Sequence, residues 1–410
     1  MGRKHPLDDK NDKGRRGNKV AKEESPAPRA SELYYEEGGL QRIHPYFHKY
    51  STYAKGRWVG RTILEVFVKE FRDRDSTYYE KAIMDGLIEI NEKRVTPDTV
   101  IRNSDLVTHK IHRHEPPVTP QPLQIVRETE EGMLVVDKPG SIPVHPSGRY
   151  NYNSVIKILE LKHGYAKLFP VNRLDRLTSG LMLIGLNADM ARIVERQMVE
   201  HRIQKEYICK VKGEFPEGKI VCDQPIRVIA HKLSLNCVDK SEGKPSLTEF
   251  ERLHTDGSHS IVYCKPKTGR THQIRVHLQY LGYPIANDPL YCNAAVWGDQ
   301  MGKQGELPSD TQCDDAPAPS GLSAANGEAW IPLVRRMEKW KDLQEEIERG
   351  EGDRVCDKCS IPAYPDPRPD QLCIWLHAWR YSGPGWSYAT ELPEWAKEAA
   401  KNIPTEQKQA

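Results

Sequence analysis

Four prolines within seven residues, Pro116, Pro117, Pro120 and Pro122, limit what this chain can fold into more than any other feature. Proline lacks a backbone donor and fixes φ, so this stretch joins neither a helix nor a central strand. A smaller unit must therefore fold before it and a larger one after it, with 116–124 as the linker between them. With 410 residues and 38% hydrophobic content, both units can bury a core, while a mean hydropathy of −0.69 points to polar extensions.

Residues 1–54 are expected to be a basic tail and a lead-in. From Met1 to about Ser31 large apolar side chains are rare, and such a segment cannot offset the entropy of ordering. Lys13-Gly-Arg15-Arg16 with Lys19 reads as a solvated basic run and, at most, a nuclear address. Asp8, Asp9 and Asp12 count against a mitochondrial transit peptide. There is no secretory apolar core and no run of the ~18 apolar residues that span a bilayer. Pro6 stands where a myristoylation signal needs Ser or Thr. Nine scattered cysteines suit reduced thiols rather than a disulfide framework. These features lead to the expectation of a soluble cytoplasmic protein with no membrane contact, with a nuclear address second and mitochondrial targeting disfavoured. Lys+Arg at 60 nearly cancels Asp+Glu at 58, so any surface for nucleic acid must be local.

Residues 55–115 read helix, helix, strand, strand. Thr62 can cap a helix whose Ile63, Val66, Phe67 and Phe71 share a stripe, and Thr77 with Glu80 has the spacing of a capping box for the next. Leu87 to Ile90 and Leu106 to Ile111 follow as strands around the basic turn Asn91 to Arg94. Beyond the linker, residues 125–400 read as a mixed α/β region. Met133 to Val136 and Leu181 to Ile184 have the continuous apolar character of buried strands. Ser154 to Leu161, Ala188 to Glu200 and Gln273 to Leu281 have helical spacing, with Ala191, Ile193, Val194 and Met198 inward in the second. An insertion at about 292–355, rich in Gly, Pro, Ser and Asp, ends in a charged helix from Trp330 to Arg349. A strand over Leu372 to Trp379 closes the fold, and 401–410 is a tail.

Two segments carry the chemistry. Asn172-Arg173-Leu174-Asp175-Arg176-Leu177-Thr178-Ser179-Gly180 places a carboxylate between two arginines just before an apolar strand. The arginines can hold it ionised and also meet phosphates, while Gly180 permits close backbone approach. An ordinary charged turn would look the same in isolation. Thr268 to Leu278 then gathers Arg270, His272, Arg275 and His277 around apolar Ile274, Val276 and Leu278. An inward Arg275 needs a carboxylate, for which Asp175 is the candidate. His272 and His277 read as structural hydrogen-bonders.

Together these segments resemble the RluA class of RNA pseudouridine synthases. Asp137-Lys138-Pro139-Gly140, Val144-His-Pro146, Lys205-Glu-Tyr207, the run from Gly282 to Tyr291 and Leu376 to Tyr381 are similar to that family's flanking motifs, in order, over roughly 55–400. Lys93-Arg94-Val95 after a strand resembles an S4 RNA-binding module. The resemblance implies an α+β fold, with a mixed, largely antiparallel sheet preceded by the S4-like unit. It implies Asp175 as nucleophile, attacking ribose C1′ or uracil C6, with Arg275 aiming it and Tyr207 stacking on the flipped uracil, although Tyr207 would equally suit a cross-strand core position. Arg173 would fill the space the base leaves, and Arg176, Arg270, Lys93, Arg94 and Lys138 would meet RNA. No cofactor is implied, because the leaving uracil is its own reactant. The family usually has His where this chain has Asn172.

The partner implied is RNA, with tRNA and its anticodon stem–loop ahead of ribosomal hairpins and no obligate protein partner. A non-catalytic RNA-binding protein on the same scaffold, or a hydrolase cleaving an N-glycosidic bond through the same carboxylate, are the rival readings. Cys356-Asp-Lys-Cys359 is half of a zinc motif, with Cys373 and His377 as further candidates. Half a motif is not a site, so no metal is assigned.

Overall fold

A computed structural model of the chain describes residues 29–71, 74–307, 330–350, 355–359 and 361–404. The expected basic tail up to residue 28 and the insertion's stretch 308–329 lie outside the described residues. Ahead of the prolines, four strands form an antiparallel sheet in the order Tyr46–Tyr53, Leu106–Arg113, Ile88–Ile90, Lys93–Arg94. Trp58, Phe67, Tyr79, Ile83, Ile88 and Val107 join it to the helices Ile63–Glu70 and Ser76–Met84 in one core. Thr62 and Glu65 cap the first helix reciprocally, as an orphan N–H pair at a helix start requires.

Two expectations for this region change. Asp75, not Thr77, caps the second helix, accepting the Tyr78 N–H at 2.7 Å. An Asp two residues upstream caps as well as Thr and adds residues to a short helix. Strand Tyr46–Tyr53, placed in the lead-in by its sequence, pairs along all eight residues with Leu106–Arg113. Tyr46, His48 and Thr52 are half-buried while Phe47 and Tyr53 are exposed on the other face, so apolar side chains do not mark its inward face as they do in a half-buried strand. The lead-in also holds the hairpin of Tyr34–Glu37 and Leu40–Ile43.

After the linker a ten-stranded sheet dominates. Its main path runs Lys219–Cys222, Thr248–Thr255, His259–Pro266, Gln204–Lys212, Leu376–Gly383, Ser179–Gly185, Met133–Lys138, Gln124–Glu128. All its pairings are antiparallel except that of Leu376–Gly383 with Ser179–Gly185, through Ser179↔His377 and Gly180↔Ala378. The mixed, largely antiparallel α+β architecture is the one expected. The closing strand begins four residues later than its apolar run suggests, since Ile374 N–H is already spent on the Leu177 carbonyl.

The parallel contact determines where the site lies. Gly180 has φ +112°, and a Cβ there would sit 2.3 Å from the Ala378 carbonyl oxygen. Only glycine lets the chain leave the Asp175 loop and enter the sheet beside the closing strand. Leu181 to Ile184 and Leu134 to Val136 fill the core on one side, while Cys209, Val211, Phe250, Val262, Ile274 and Leu278 fill a second. Among the described residues, no helix is long and apolar enough to cross a membrane.

Candidate active site

Asp175 lies in the loop between the strands Phe169–Pro170 and Ser179–Gly185. Its two leucine neighbours anchor that loop in different cores: Leu174 in the one, Leu177 against the other. Burying Leu174 contributes about 1.5–3 kcal/mol and half-buried Leu177 less, and together they leave the Asp175 side chain pointing into the cleft between. Asn172 ties the loop down further. Its Oδ1 accepts the Leu183 N–H at 2.9 Å, and its amide donates to Tyr381 Oη at 3.4 Å. The residue that departs from the family pattern is thus committed to holding the loop.

The cleft has a volume of about 310 Å³. Arg173, Lys205, Arg270 and Arg275 line it, and among the described residues Asp175 is its one carboxylate, so it suits an anionic ligand. Arg275 reaches it from the buried helix Gln273–Tyr280. Its Nη1 donates to Asp175 Oδ2 at 2.9 Å. Its Nε and Nη2 grip Asp288 at 2.6 and 2.9 Å. The planar fork therefore clamps Asp288, which is 1% exposed, and the one remaining nitrogen, Nη1, aims Asp175. Burial works against the Arg275 charge, but Asp288 and Asp175 outweigh it and raise its pKa.

His272 completes the setting. It sits at φ +58°, unusual for a residue with a Cβ, just before that helix. Its Nε2 lies 3.4 Å from Asp175 Oδ2 and its Nδ1 3.0 Å from Tyr291 Oη, which itself accepts the Asn236 N–H. Burial, with Arg275 nearby, pushes His272 down to about 4. Near neutral pH it is uncharged, and with Tyr291 donating to Nδ1 its proton faces Asp175. Burial would raise the pKa of Asp175, yet its neighbours His272, Arg275 and Arg173 outweigh burial and lower it.

Tyr207 lines the same cleft from the strand Gln204–Lys212, its hydroxyl 2.7 Å from that of Tyr381. Burial pushes its phenol up to about 12, against the hydrogen bond from Tyr381 and with a further rise from Asp175. It is a neutral donor at ordinary pH. Thr178 also lines the cleft, and its buried hydroxyl has no hydrogen-bond partner among the described residues.

Other expected site residues divide. Arg173 and Arg270 are exposed at the cleft, whereas exposed Arg176 stacks on Tyr150 with its guanidinium 5.5 Å from the ring centre. Lys93 and Arg94 are exposed on the N-terminal sheet and do not line the cleft. Lys138 does not meet RNA. It is fully buried, and its ammonium donates to the Pro139, Ile142 and Arg176 carbonyls at 2.8, 2.9 and 3.1 Å. Burial pushes its pKa down to about 7, but three carbonyl acceptors favour the charged form. The Asp-Lys-Pro-Gly motif is a brace under the Asp175 loop.

Cys373 and His377 are not partners of the Cys-x-x-Cys turn. His377 is spent on Ser179 Oγ at 2.8 Å and Thr390 Oγ1 at 2.6 Å. Sequence reasoning missed Asp288 and Lys205 and undervalued His272. The signal for Asp288 was that a buried guanidinium with five donors needs more than one acceptor.

The sequence signature described as RNA pseudouridylate synthase matches residues 132–280. The chain is 42% identical over 379 residues to the "tRNA pseudouridine(32) synthase, mitochondrial" of Saccharomyces cerevisiae, covering 88% of this chain and 78% of that one. It is 38% identical to "Pseudouridylate synthase RPUSD2" of Homo sapiens, over 90% of this chain and 76% of that one. It is 36% identical to "RNA pseudouridine synthase 7" of Oryza sativa subsp. japonica, over 88% and 92%. The first of these corrects the expected cytoplasmic localisation with a mitochondrial address disfavoured. A relative matched along most of this chain is mitochondrial by name, so three aspartates near the N-terminus do not argue against that compartment.

Proposed function

The chain belongs to the RNA pseudouridylate synthase family, isomerases that convert uridine in RNA to pseudouridine, and on that premise we propose that Asp175 is its nucleophile and a tRNA anticodon stem–loop its substrate. The observation that carries the proposal is the Asp175 carboxylate held at 2.9 Å by Arg275, the one acid among the described residues that line a cationic cleft. Nucleophilic catalysis needs a charged carboxylate held by a partner that does not neutralise it. Asp175 attacks the flipped uridine at C1′ or C6, the N1–C1′ bond breaks and the base turns; C5 then bonds to C1′, the Asp175–carbon bond breaks to free the carboxylate, and the proton lost from C5 is matched by one gained at N1. Tyr207, neutral and facing the cleft, stacks on the uracil and can hand over a proton. Arg173 fills the gap in the RNA, and Arg270 with Lys205 meets phosphate.

Two arguments support tRNA. The yeast relative is a tRNA enzyme by name. A loop base is also already partly unstacked, so extruding it costs less than opening a duplex pair. The S4-like reading of the N-terminal unit, with Lys93 and Arg94 exposed, adds a second grip on the stem. The test gives purified protein an unmodified tRNA pool and, separately, ribosomal RNA fragments, and maps new pseudouridines. Modification in anticodon stem–loops is expected. Modification confined to ribosomal hairpins would overturn the substrate while leaving the enzyme class in place.

A further inference from the structure

The Cys-x-x-Cys turn finds its second pair of ligands where the sequence alone did not direct attention. Strand Leu106–Arg113 of the N-terminal sheet has His112 as its penultimate residue, and His114 follows two residues on, so both rings leave the same face. They lie nearly perpendicular, with centroids 4.9 Å apart. Cys356 and Cys359 come to them from about 240 residues later in the chain. Cys356 Sγ is 3.5 Å from His112 Nδ1, and Cys359 Sγ is 3.3 Å from His114 Nε2. All four ligand atoms lie within 4.8 Å of one another. A tetrahedral zinc with thiolate and imidazole ligands has ligand–ligand edges of about 3.3–3.8 Å, from bonds of about 2.3 and 2.0 Å. The two Sγ–N gaps of 3.5 and 3.3 Å match those edges. Neither cysteine is in a disulfide, and none of the four residues lines the Asp175 cleft.

We propose that His112, His114, Cys356 and Cys359 form a structural zinc site that staples the segment after the insertion to the N-terminal sheet. Two thiolates neutralise the ion, two imidazoles complete the tetrahedron, and no position stays open for water, which marks the site as structural rather than catalytic. The local backbone is built for it. The turn is closed by Cys356 N–H donating to the Ile361 carbonyl at 3.0 Å and by a bridge between Val355 and Pro362. Just beyond it, Asp366 pairs with Arg42 at 2.6 Å and Tyr364 lies under Arg149 with the guanidinium 5.0 Å from its ring centre. These exposed contacts are individually weak, so a metal is what gives the junction its rigidity.

The experiment measures zinc bound to the full-length protein, purified under reducing conditions and dialysed, by elemental analysis. About one equivalent is expected in the natural protein and in Asp175→Asn, with loss of at least about nine-tenths in Cys356→Ser/Cys359→Ser. Should that double variant fail to fold, titration of reduced natural protein with Co²⁺ replaces it. Intense visible bands and thiolate charge transfer, both signatures of tetrahedral S₂N₂ ligation, are the expected result. A pale octahedral spectrum, a natural protein that neither carries nor takes up zinc, or a stable Cys356–Cys359 disulfide would overturn the proposal.

Discussion

Arg275 offers five N–H donors in a planar fork, and the site uses them in two directions. Two of its nitrogens hold Asp288, which also accepts the Leu290 and Tyr291 N–H groups, and one aims Asp175. Lysine has no fork and cannot serve both carboxylates at once. Arg275→Lys should therefore lower the rate of pseudouridine formation by about 100-fold or more, the scale of losing one preorganised donor. Single-turnover rates on one RNA would check this, and a near-natural rate would place Arg275 outside the chemistry. At this scale the sequence was legible where chemistry demands a residue type: an inward Arg275 needing a carboxylate led to Asp175. It was illegible where one residue type serves two ends. Lys138 looked like a phosphate contact because lysine usually is one at a surface, and only burial among three carbonyls reveals a brace.

At the scale of elements, the parallel pair of Ser179–Gly185 and Leu376–Gly383 joins the Asp175 loop to the end of the chain. Gly180→Ala would add a Cβ at φ +112° against the Ala378 carbonyl. The strained φ and the clash together should cost on the order of 3 kcal/mol. Denaturant unfolding would show it as a lower midpoint with an unchanged slope, and an unshifted midpoint would contradict this pairing. Apolar runs marked the buried strands well, because burial on both faces removes the need for polar positions. Amphipathic helices were marked less completely: Ile193, expected inward, is 50% exposed while Val194 on the same helix is buried. Strand Tyr46–Tyr53 was not marked at all, since Phe47 and Tyr53 lie on its exposed face and polar His48 and Thr52 on its half-buried one.

Over the whole molecule, distant segments meet in ways that no local pattern encodes. His112 and His114 face Cys356 and Cys359, and Asp175 faces Arg275 across a hundred residues. The N-terminal sheet, carrying Lys93 and Arg94, is expected to add RNA affinity more than chemistry. Replacing both with Ala should weaken binding and flatten the slope of log affinity against log salt by about 1–2, because fewer counterions are released. An unchanged slope in a filter-binding or anisotropy series would show that this turn does not touch phosphate.

Everything in the active-site account converges on one atom, the ionised carboxylate oxygen of Asp175. Asp175→Asn keeps the size and much of the hydrogen bonding, and Leu174 and Leu177 still anchor the loop. The decisive measurement is pseudouridine formed in a saturating RNA substrate by the purified Asp175→Asn protein, with RNA affinity measured alongside. No detectable product and nearly unchanged affinity are expected. Product formed at a measurable rate, from protein free of the natural enzyme, would contradict the assignment of Asp175 as nucleophile.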